Sequence, residues 1–174
     1  AFWRSVPQVH VAYIFCNRAY QFQNVALSTN GGDLLIDAED LTQDADASID
    51  ANNVTLESLG SDFVLNAAMT TTGDLLVNTS GDLLQTQSGV LVVGGVTTLN
   101  ANAVAFDNSA NDFQGAVHAS GSSLGFVDAN DISFGDIDAA GAFSASALSG
   151  SIDDGAETVD GADINVAGDA VFAV

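Results

Sequence analysis

From about residue 25 onward, the chain is a succession of short runs in which apolar and polar residues alternate. In each run two apolar side chains lie two positions apart, as Leu34 and Ile36 do, and Gly, Asn and Asp separate one run from the next. This period-two pattern is typical of half-buried strands, and the separating residues are typical of turns. Helical spacing of apolar residues is hard to find, so we expect an all-β protein. The residues predicted to face its core include Leu75, Val77, Val104, Phe106, Phe113, Leu124, Phe126, Ile132 and Phe134.

The sequence also repeats itself. "GDLL" occurs at Gly32, Gly73 and Gly81, and "SIDANNVTLESLGSDF" from Ser48 aligns without a gap to the stretch that ends at Phe113. A longer module recurs at a spacing of roughly 70 residues, which is in the range of repeat architectures. Tandem repeats with small residues at the corners favour a solenoid over a sandwich or barrel. We expect coils of roughly 20 to 25 residues, stacked about 4.8 Å apart in parallel, with the repeated phrase extending one core and one set of ladders.

Composition changes abruptly near Asn24, which predicts two parts: an N-terminal segment, residues 1–24, and a repeat domain, residues 25–174. Residues 1–24 contain no acid, both arginines and six of the thirteen aromatic residues. As a cap, this segment would cover the open edge and the core of the first coil. As an assembly element it would pair with another chain. An unrelated leader is the third interpretation.

Charge narrows the classes of partner. The chain has 23 acidic residues against two basic ones, Arg4 and Arg18, and a net charge of −21. Such a field repels nucleic acids and anionic lipid, so we expect neither nucleic-acid binding nor direct membrane insertion. Added salt or calcium is expected to raise stability because stacked carboxylates repel each other. The single Cys16 cannot form an intramolecular disulfide.

The phrases "LVVGGVTTLNA" from Leu91, "NSANDFQGAV" from Asn108 and "VDANDISFGDID" from Val127 resemble repeats of filamentous-haemagglutinin-like exoproteins and autotransporter passengers of Gram-negative bacteria. Weaker copies extend the likeness over roughly residues 25–174. The resemblance implies a right-handed parallel β-helix that is secreted or displayed at the bacterial cell surface, where it serves as an adhesin or extracellular fibre. A host-surface or glycan receptor would be its partner. The family's secretion domain is not visible in this sequence.

Candidate catalytic groups are few. Asp136 and Asp138 lie two residues apart, which places both carboxylates on one side of a strand, the pairing that a glycosidase would use. His118 stands alone among Ala and Ser and is interpreted as a surface or turn residue. We therefore predict no catalytic residues and no cofactor. The alternative enzymatic interpretation is a β-helix carbohydrate-active enzyme.

The stretch from Ser151 to Asp169 concentrates acids and glycines, the oxygen-rich composition that suits calcium. It lacks the spacing of known calcium loops, and it therefore gives only weak candidate ligands: Asp153, Asp154, Glu157, Asp160 and Asp163.

The last phrase, "GDAVFAV", is apolar without a polar cap. We expect its edge to be covered by further repeats or by end-to-end self-association. The predicted function is a non-catalytic structural segment of a surface adhesin or fibre, and the alternative is a self-assembling filament subunit.

Overall fold

The computed structural model describes residues 11–16, 20–22, 26–58, 60–155 and 164–174. Within these residues the chain forms 22 strands, numbered in chain order, and contains no helix. Every strand pair is parallel, and the strands stack into a β-solenoid of about six turns. The all-β solenoid prediction is confirmed. No helix that could cross a membrane occurs in the described part of the chain.

Three faces run along the solenoid. The first face consists of β1 (Val11–Cys16), β4 (Asp33–Ala38), β7 (Val54–Ser58), β10 (Leu75–Thr79), β13 (Thr97–Asn100), β16 (Val117–Gly121), β18 (Ile132–Ala139), β20 (Ile152–Asp153) and β21 (Ile164–Val166). The second face consists of β2 (Tyr20–Phe22), β5 (Leu41–Gln43), β8 (Phe63–Leu65), β11 (Leu83–Gln85), β14 (Ala103–Phe106), β17 (Ser123–Asp128), β19 (Phe143–Ala147) and β22 (Ala170–Ala173). The third face consists of β3 (Leu27–Ser28), β6 (Ile49–Ala51), β9 (Met69–Thr71), β12 (Leu91–Val93) and β15 (Asp112–Phe113).

Beyond β15, the third and first faces merge. Strand β18 pairs with β20 through Ile132 at its start and with β21 through Ile137. At the other end of the solenoid, β1 pairs with β4 and β2 pairs with β5. The described parts of residues 1–24 therefore form strands in the first and second faces.

One hydrophobic core runs through the stacked coils, because alternate side chains of each strand point inward. All nine residues predicted to face the core are at most 3% exposed. Ring contacts link Phe113, Phe126, Phe134 and Phe143, with centroids 5.2 to 6.4 Å apart. The predicted alternation of inward and outward residues is confirmed.

Coil length is even over much of the chain and uneven afterwards. Hydrogen-bonded residues in neighbouring coils are 20, 21 and 22 positions apart from Asp33 through Val96. The spacing falls to 18 between His118 and Asp136 and rises to 27 between Asp138 and Asn165. We call residues 33–116 the regular coils and residues 117–155 the irregular coils. The predicted coil length of roughly 20 to 25 residues holds in the regular coils.

The expectation that repeats extend the same ladder is wrong for the longer repeats. Val54 and Leu56 of β7, on the first face, align in sequence with Val104 and Phe106 of β14, on the second. Likewise, the "GDLL" at Gly73 leads into the first face and the "GDLL" at Gly81 into the second. The spacings of the longer repeats are not whole numbers of coils, so each of these copies is shifted by one face, whereas the "GDLL" at Gly32 and the one at Gly73 both lead into the first face. All three faces accept the same short strand and turn, and a shifted copy still buries its apolar side chains.

At the corner between the third and first faces, coils approach closely. A Cβ on Gly95 would contact the Asp74 carboxylate and lie 2.7 Å from the carbonyl carbon of Gly73. Side chains also join successive coils here. The Oδ1 atoms of Asp33, Asn53 and Asp74 each accept a backbone N–H from the next coil, at 3.2, 2.7 and 2.8 Å. Glycine suits the corner because the coils approach closely there, and Asn or Asp suits it because its side-chain oxygen accepts a corner N–H group.

Candidate functional site

The irregular coils bring His118 beside the predicted carboxylates on the outer side of the first face. Between Val117 and Ala119 the register of β16 and β18 shifts, so that Gly135 and Asp136 oppose His118. Such a β-bulge redirects the side chains around it. The Asp136 N–H donates to Nδ1 of His118 at 3.0 Å, and the Asp136 carboxylate lies 3.9 Å from the same nitrogen.

The hydrogen bond to Nδ1 selects one tautomer of the neutral His118 ring. Because Nδ1 accepts a hydrogen bond, the neutral ring carries its proton on Nε2. Gly135 lies under the ring, and a Cβ at that position would collide with it. Sequence reasoning did not place these side chains together, because 18 residues separate His118 from Asp136 and the bulge alters the ladder register.

Asp136 and Asp138 are both exposed. The Asp138 carboxylate lies opposite Ser120 and accepts a hydrogen bond of 3.2 Å from Asn165 Nδ2. One imidazole and two carboxylates therefore stand on an outward face, where Asp138 also joins two neighbouring coils. The prediction that no residue is catalytic stays a prediction.

A row of polar side chains continues along the first face from this cluster. Asn100 Nδ2 donates to Asn78 Oδ1, and Ser120 Oγ donates to Asn100 Oδ1, both at 2.8 Å. Towards the start of the solenoid, Asp37 and Glu57 face each other on neighbouring strands. The outer side of the first face thus presents a ladder of amide, hydroxyl and carboxylate groups at the interstrand spacing.

The structure covers only part of the predicted calcium ligand set. Asp153 and Asp154 are exposed, and Asp153 Oδ1 accepts the Gly155 N–H at 3.0 Å. Glu157, Asp160 and Asp163 lie outside the described residues. In the part of the chain that the structure describes, no three His, Cys, Asp or Glu side chains form a metal-binding group. A calcium site in this stretch stays a prediction.

A polar column that sequence reasoning missed lies inside the corner between the second and third faces. Asn111, fully buried, exchanges hydrogen bonds with Gln85 at 2.6 and 3.1 Å and accepts the Leu91 N–H at 3.0 Å. Asp128 is also fully buried, and its two oxygens accept the N–H groups of Phe113 and Asn130, each at 2.7 Å. Burial nevertheless raises the pKa of Asp128 above its ordinary value.

The last coil presents an apolar end. Val171, Phe172 and Val174 of this coil are 59, 51 and 86% exposed, although the Phe172 ring still packs on Phe143 at 5.5 Å. An open pocket of about 520 Å³ lies beside them, lined by Ile152, Asp153, Asp154, Ile164, Phe172 and Val174. The strand of Phe172, β22, belongs to the second face, where it pairs with β19.

A comparison with known protein families gives a match over part of the repeat region. Residues 51–120 match the model of a family described as repeats of unknown function (DUF5649). The match spans the regular coils from the end of β6 into β16, which is where the coil length is most even. No curated protein and no solved structure matches the chain. The chain is a β-solenoid repeat protein, a fold compatible with a structural role.

Proposed function

We propose that this chain is a non-catalytic structural segment of a secreted bacterial surface adhesin or extracellular fibre. The observation that carries the proposal is the joining of successive coils by side chains as well as by main chain. At the corners, Asp33, Asn53 and Asp74 each bind the next coil, and on the first face Asn78, Asn100 and Ser120 form a second ladder. A solenoid tied in this way is a stiff rod that lengthens by about 4.8 Å per coil.

The outer surface supports display to an aqueous exterior. A row of acidic, amide and hydroxyl side chains runs along the outer side of the first face. With a net charge of −21, rods of this kind repel one another. Amide and carboxylate rows also offer paired hydrogen-bonding groups to the hydroxyls of a glycan. A host-surface glycan is therefore the receptor class that we propose.

Location and adhesion are tested separately. Antibodies raised against this chain should label intact cells of the bacterium that produces it, and brief protease treatment should remove the label while a cytoplasmic marker persists. Beads coated with the chain should bind glycan-bearing surfaces, and Asn100→Ala on the outer face should weaken binding more than Thr42→Ala on the second face. Label only in permeabilised cells would contradict the proposed location, and equal loss in both variants would contradict the proposed binding face.

The second candidate is a filament subunit, favoured by the exposed apolar residues of the last coil. In the sequence, residues 1–24 carry both arginines and no acid, whereas Asp153 and Asp154 lie beside the apolar residues of the last coil. Opposite charges and an apolar patch suit head-to-tail contact between two copies. In such a stack β1 and β2 of one copy would extend β21 and β22 of another.

Light scattering at low and high concentration tests assembly of the chain as it stands. If copies stack, Phe172→Ala should reduce the mass at high concentration. Val96→Ala is the matched control, because Val96 is a 39% exposed side chain in the middle of the solenoid. A concentration-independent monomeric mass for the parent chain would contradict the filament candidate and leave the rod segment as the sole proposal.

A further inference from the structure

The turn before β4 holds a chemically distinctive asparagine. Asn30 and Gly31 are the central residues of a turn closed by the Gly32 N–H donating to the Thr29 carbonyl at 3.2 Å. Their φ angles are +53° and +85°, which identifies a type I′ turn. In the described part of the chain, Asn30 is the only residue other than glycine with positive φ. It is exposed, and so is Gly31.

Hydrogen bonding separates Asn30 from the other asparagines. Ten further asparagine side chains are described, and each makes at least one hydrogen bond: Asn52, Asn53, Asn66, Asn78, Asn100, Asn102, Asn108, Asn111, Asn130 and Asn165. Within the described residues the Asn30 side chain makes none, and only its backbone N–H contacts Ser28 Oγ, at 3.4 Å. Its amide is thus free to rotate towards the main chain.

The residue that follows is also distinctive. Gly31 has open space where a Cβ would be, with no atom within 4 Å. Asn30–Gly31 is the only Asn-Gly pair in the sequence. Without a side chain, the Gly31 nitrogen can approach the Asn30 side chain with little steric hindrance. Exposure, a free amide and an unhindered nitrogen therefore coincide at one position.

We infer that Asn30 is a site of spontaneous conversion to aspartate and isoaspartate. The Gly31 nitrogen, after losing its proton to base, attacks Asn30 Cγ, which forms a C–N bond in a five-membered imide and expels the side-chain nitrogen as ammonia. Water then adds to either imide carbonyl and breaks the corresponding C–N bond. Hydrolysis at the side-chain carbonyl gives aspartate, and hydrolysis at the main-chain carbonyl gives isoaspartate. The net reaction consumes one water, releases one ammonia and involves no change of oxidation state.

The modification alters the fold locally. Either product adds one negative charge three residues before Asp33, which accepts hydrogen bonds from Asn52 and Asn53. Isoaspartate also inserts a methylene into the main chain of the turn that joins β3 to β4. The stacking of the first regular coil is therefore expected to loosen with the age of the protein.

Peptide mapping of the intact folded chain after incubation at neutral and alkaline pH tests this inference. The fragment containing Asn30 should gain the mass of an NH₂-to-OH exchange, faster at alkaline pH, and should accept label from an isoaspartyl methyltransferase. We expect conversion to be about tenfold faster than at Asn102 or Asn130, equivalent to about 1.4 kcal/mol in activation free energy.

Ala103→Gly provides the matched control, because it creates a second Asn-Gly pair at Asn102, whose side chain is held by Asp82 at 2.7 Å. Asn102 in that variant should convert more slowly than Asn30 in the same molecule. The inference fails if Asn30 converts no faster than Asn130. It also fails if conversion requires denaturant, because the turn would then protect the site.

Discussion

The regular and irregular coils solve the same packing problem in two ways. In the regular coils, spacings of 20 to 22 residues keep corners in line, and hydrogen bonds such as Asn53 to Asp74 join one corner to the next. In the irregular coils the spacing varies from 18 to 27, the third face merges with the first, and Phe126, Phe134 and Phe143 fill the interior. Where the coil length is even, the repeated hydrogen bonds between corners stabilise the fold. Where it is uneven, the packing of aromatic rings takes over this role.

The largest expected effect is at Phe126, whose ring contacts those of Phe113, Phe134 and Phe143. Phe126→Ala should lower the free energy of unfolding by about 3 to 5 kcal/mol, measured by urea denaturation. Phe106→Ala is the control, since Phe106 is equally buried and makes no ring contact within the described residues. Phe106→Ala should lower the free energy of unfolding by about 1 kcal/mol less than Phe126→Ala does. Equal losses would mean that ring geometry adds nothing to burial in the irregular coils.

The next effect concerns the regular corner. Gly95→Ala should destabilise the fold by about 1 to 3 kcal/mol, because the added Cβ would contact the Asp74 carboxylate and backbone of the preceding coil. Gly125→Ala, on β17 of the irregular coils, meets its nearest atom at 3.3 Å and should change stability by less than about 1 kcal/mol. Thermal unfolding of both variants measures the contrast. A tolerated Gly95→Ala would contradict close corner approach.

Thr97 offers a stabilising change in the regular coils. Its hydroxyl is fully buried and, within the described residues, has no hydrogen-bond partner. Thr97→Val keeps the shape and should raise the free energy of unfolding by about 1 to 2 kcal/mol. The Thr71 hydroxyl, by contrast, donates a hydrogen bond to the Gly73 carbonyl at 2.9 Å. Thr71→Val should therefore lower the free energy of unfolding by about 1 kcal/mol. Chemical denaturation that ranked the two in the opposite order would refute the assignment.

We expect two carboxylates in the irregular coils to make the free energy of unfolding depend on pH in opposite directions. Burial raises the pKa of Asp128, so its contribution to stability is greatest below the unfolded value of about 3.9 and is lost as pH rises through the folded pKa. The N–H and hydroxyl of Ser151 lower the pKa of Asp131, so its contribution is present above about 3.9 and lost as pH falls through the folded pKa.

Melting temperatures from pH 7 down to pH 3 should separate the two groups. Asp128→Asn should remove part of the stabilisation that the parent gains as the pH falls through the folded pKa. Asp131→Asn should instead remove part of the loss at the lowest pH values. Parallel curves for the parent and both variants would show that neither carboxylate is linked to unfolding.

The smallest expected effect is at Glu57, which faces Asp37 across neighbouring strands of the regular coils. Glu57→Gln should raise stability by about 0.2 to 1 kcal/mol at low salt, because like charges in directly opposed positions repel. The gain should shrink as added salt screens the pair. Urea denaturation at low and high salt measures both effects. A gain independent of salt would point to a cause other than charge.

Calcium provides a related comparison at the other end. If Asp153 and Asp154 belong to a site, calcium should raise the melting temperature saturably, beyond sodium chloride of equal ionic strength, and Asp153→Asn should reduce that rise. A response identical to that of sodium chloride would leave only diffuse screening.

Sequence reasoning predicted correctly the properties that depend on one strand alone, such as which side chains point inward. Alternation alone placed Val104, Phe106 and Ile132 in the core, because strand geometry sends alternate residues to opposite sides. It did not find the His118 bulge or the buried Asp128, because both depend on which residues of the next coil come alongside. That register follows from coil length, and coil length varies in the irregular coils. The one-face shift of the longer repeats was hidden for the same reason, since strands on different faces have the same sequence pattern.

That shift has a consequence for how such a gene can grow. When a duplicated stretch spans a whole number of coils plus one face, the copy folds without disturbing the core, but its outward side chains point a third of a turn away from those of the original. Successive duplications would therefore distribute one ancestral surface motif around the rod's circumference. A protein lengthened in this manner displays the same motif on several sides of the rod, with no flexible joint and no change of fold.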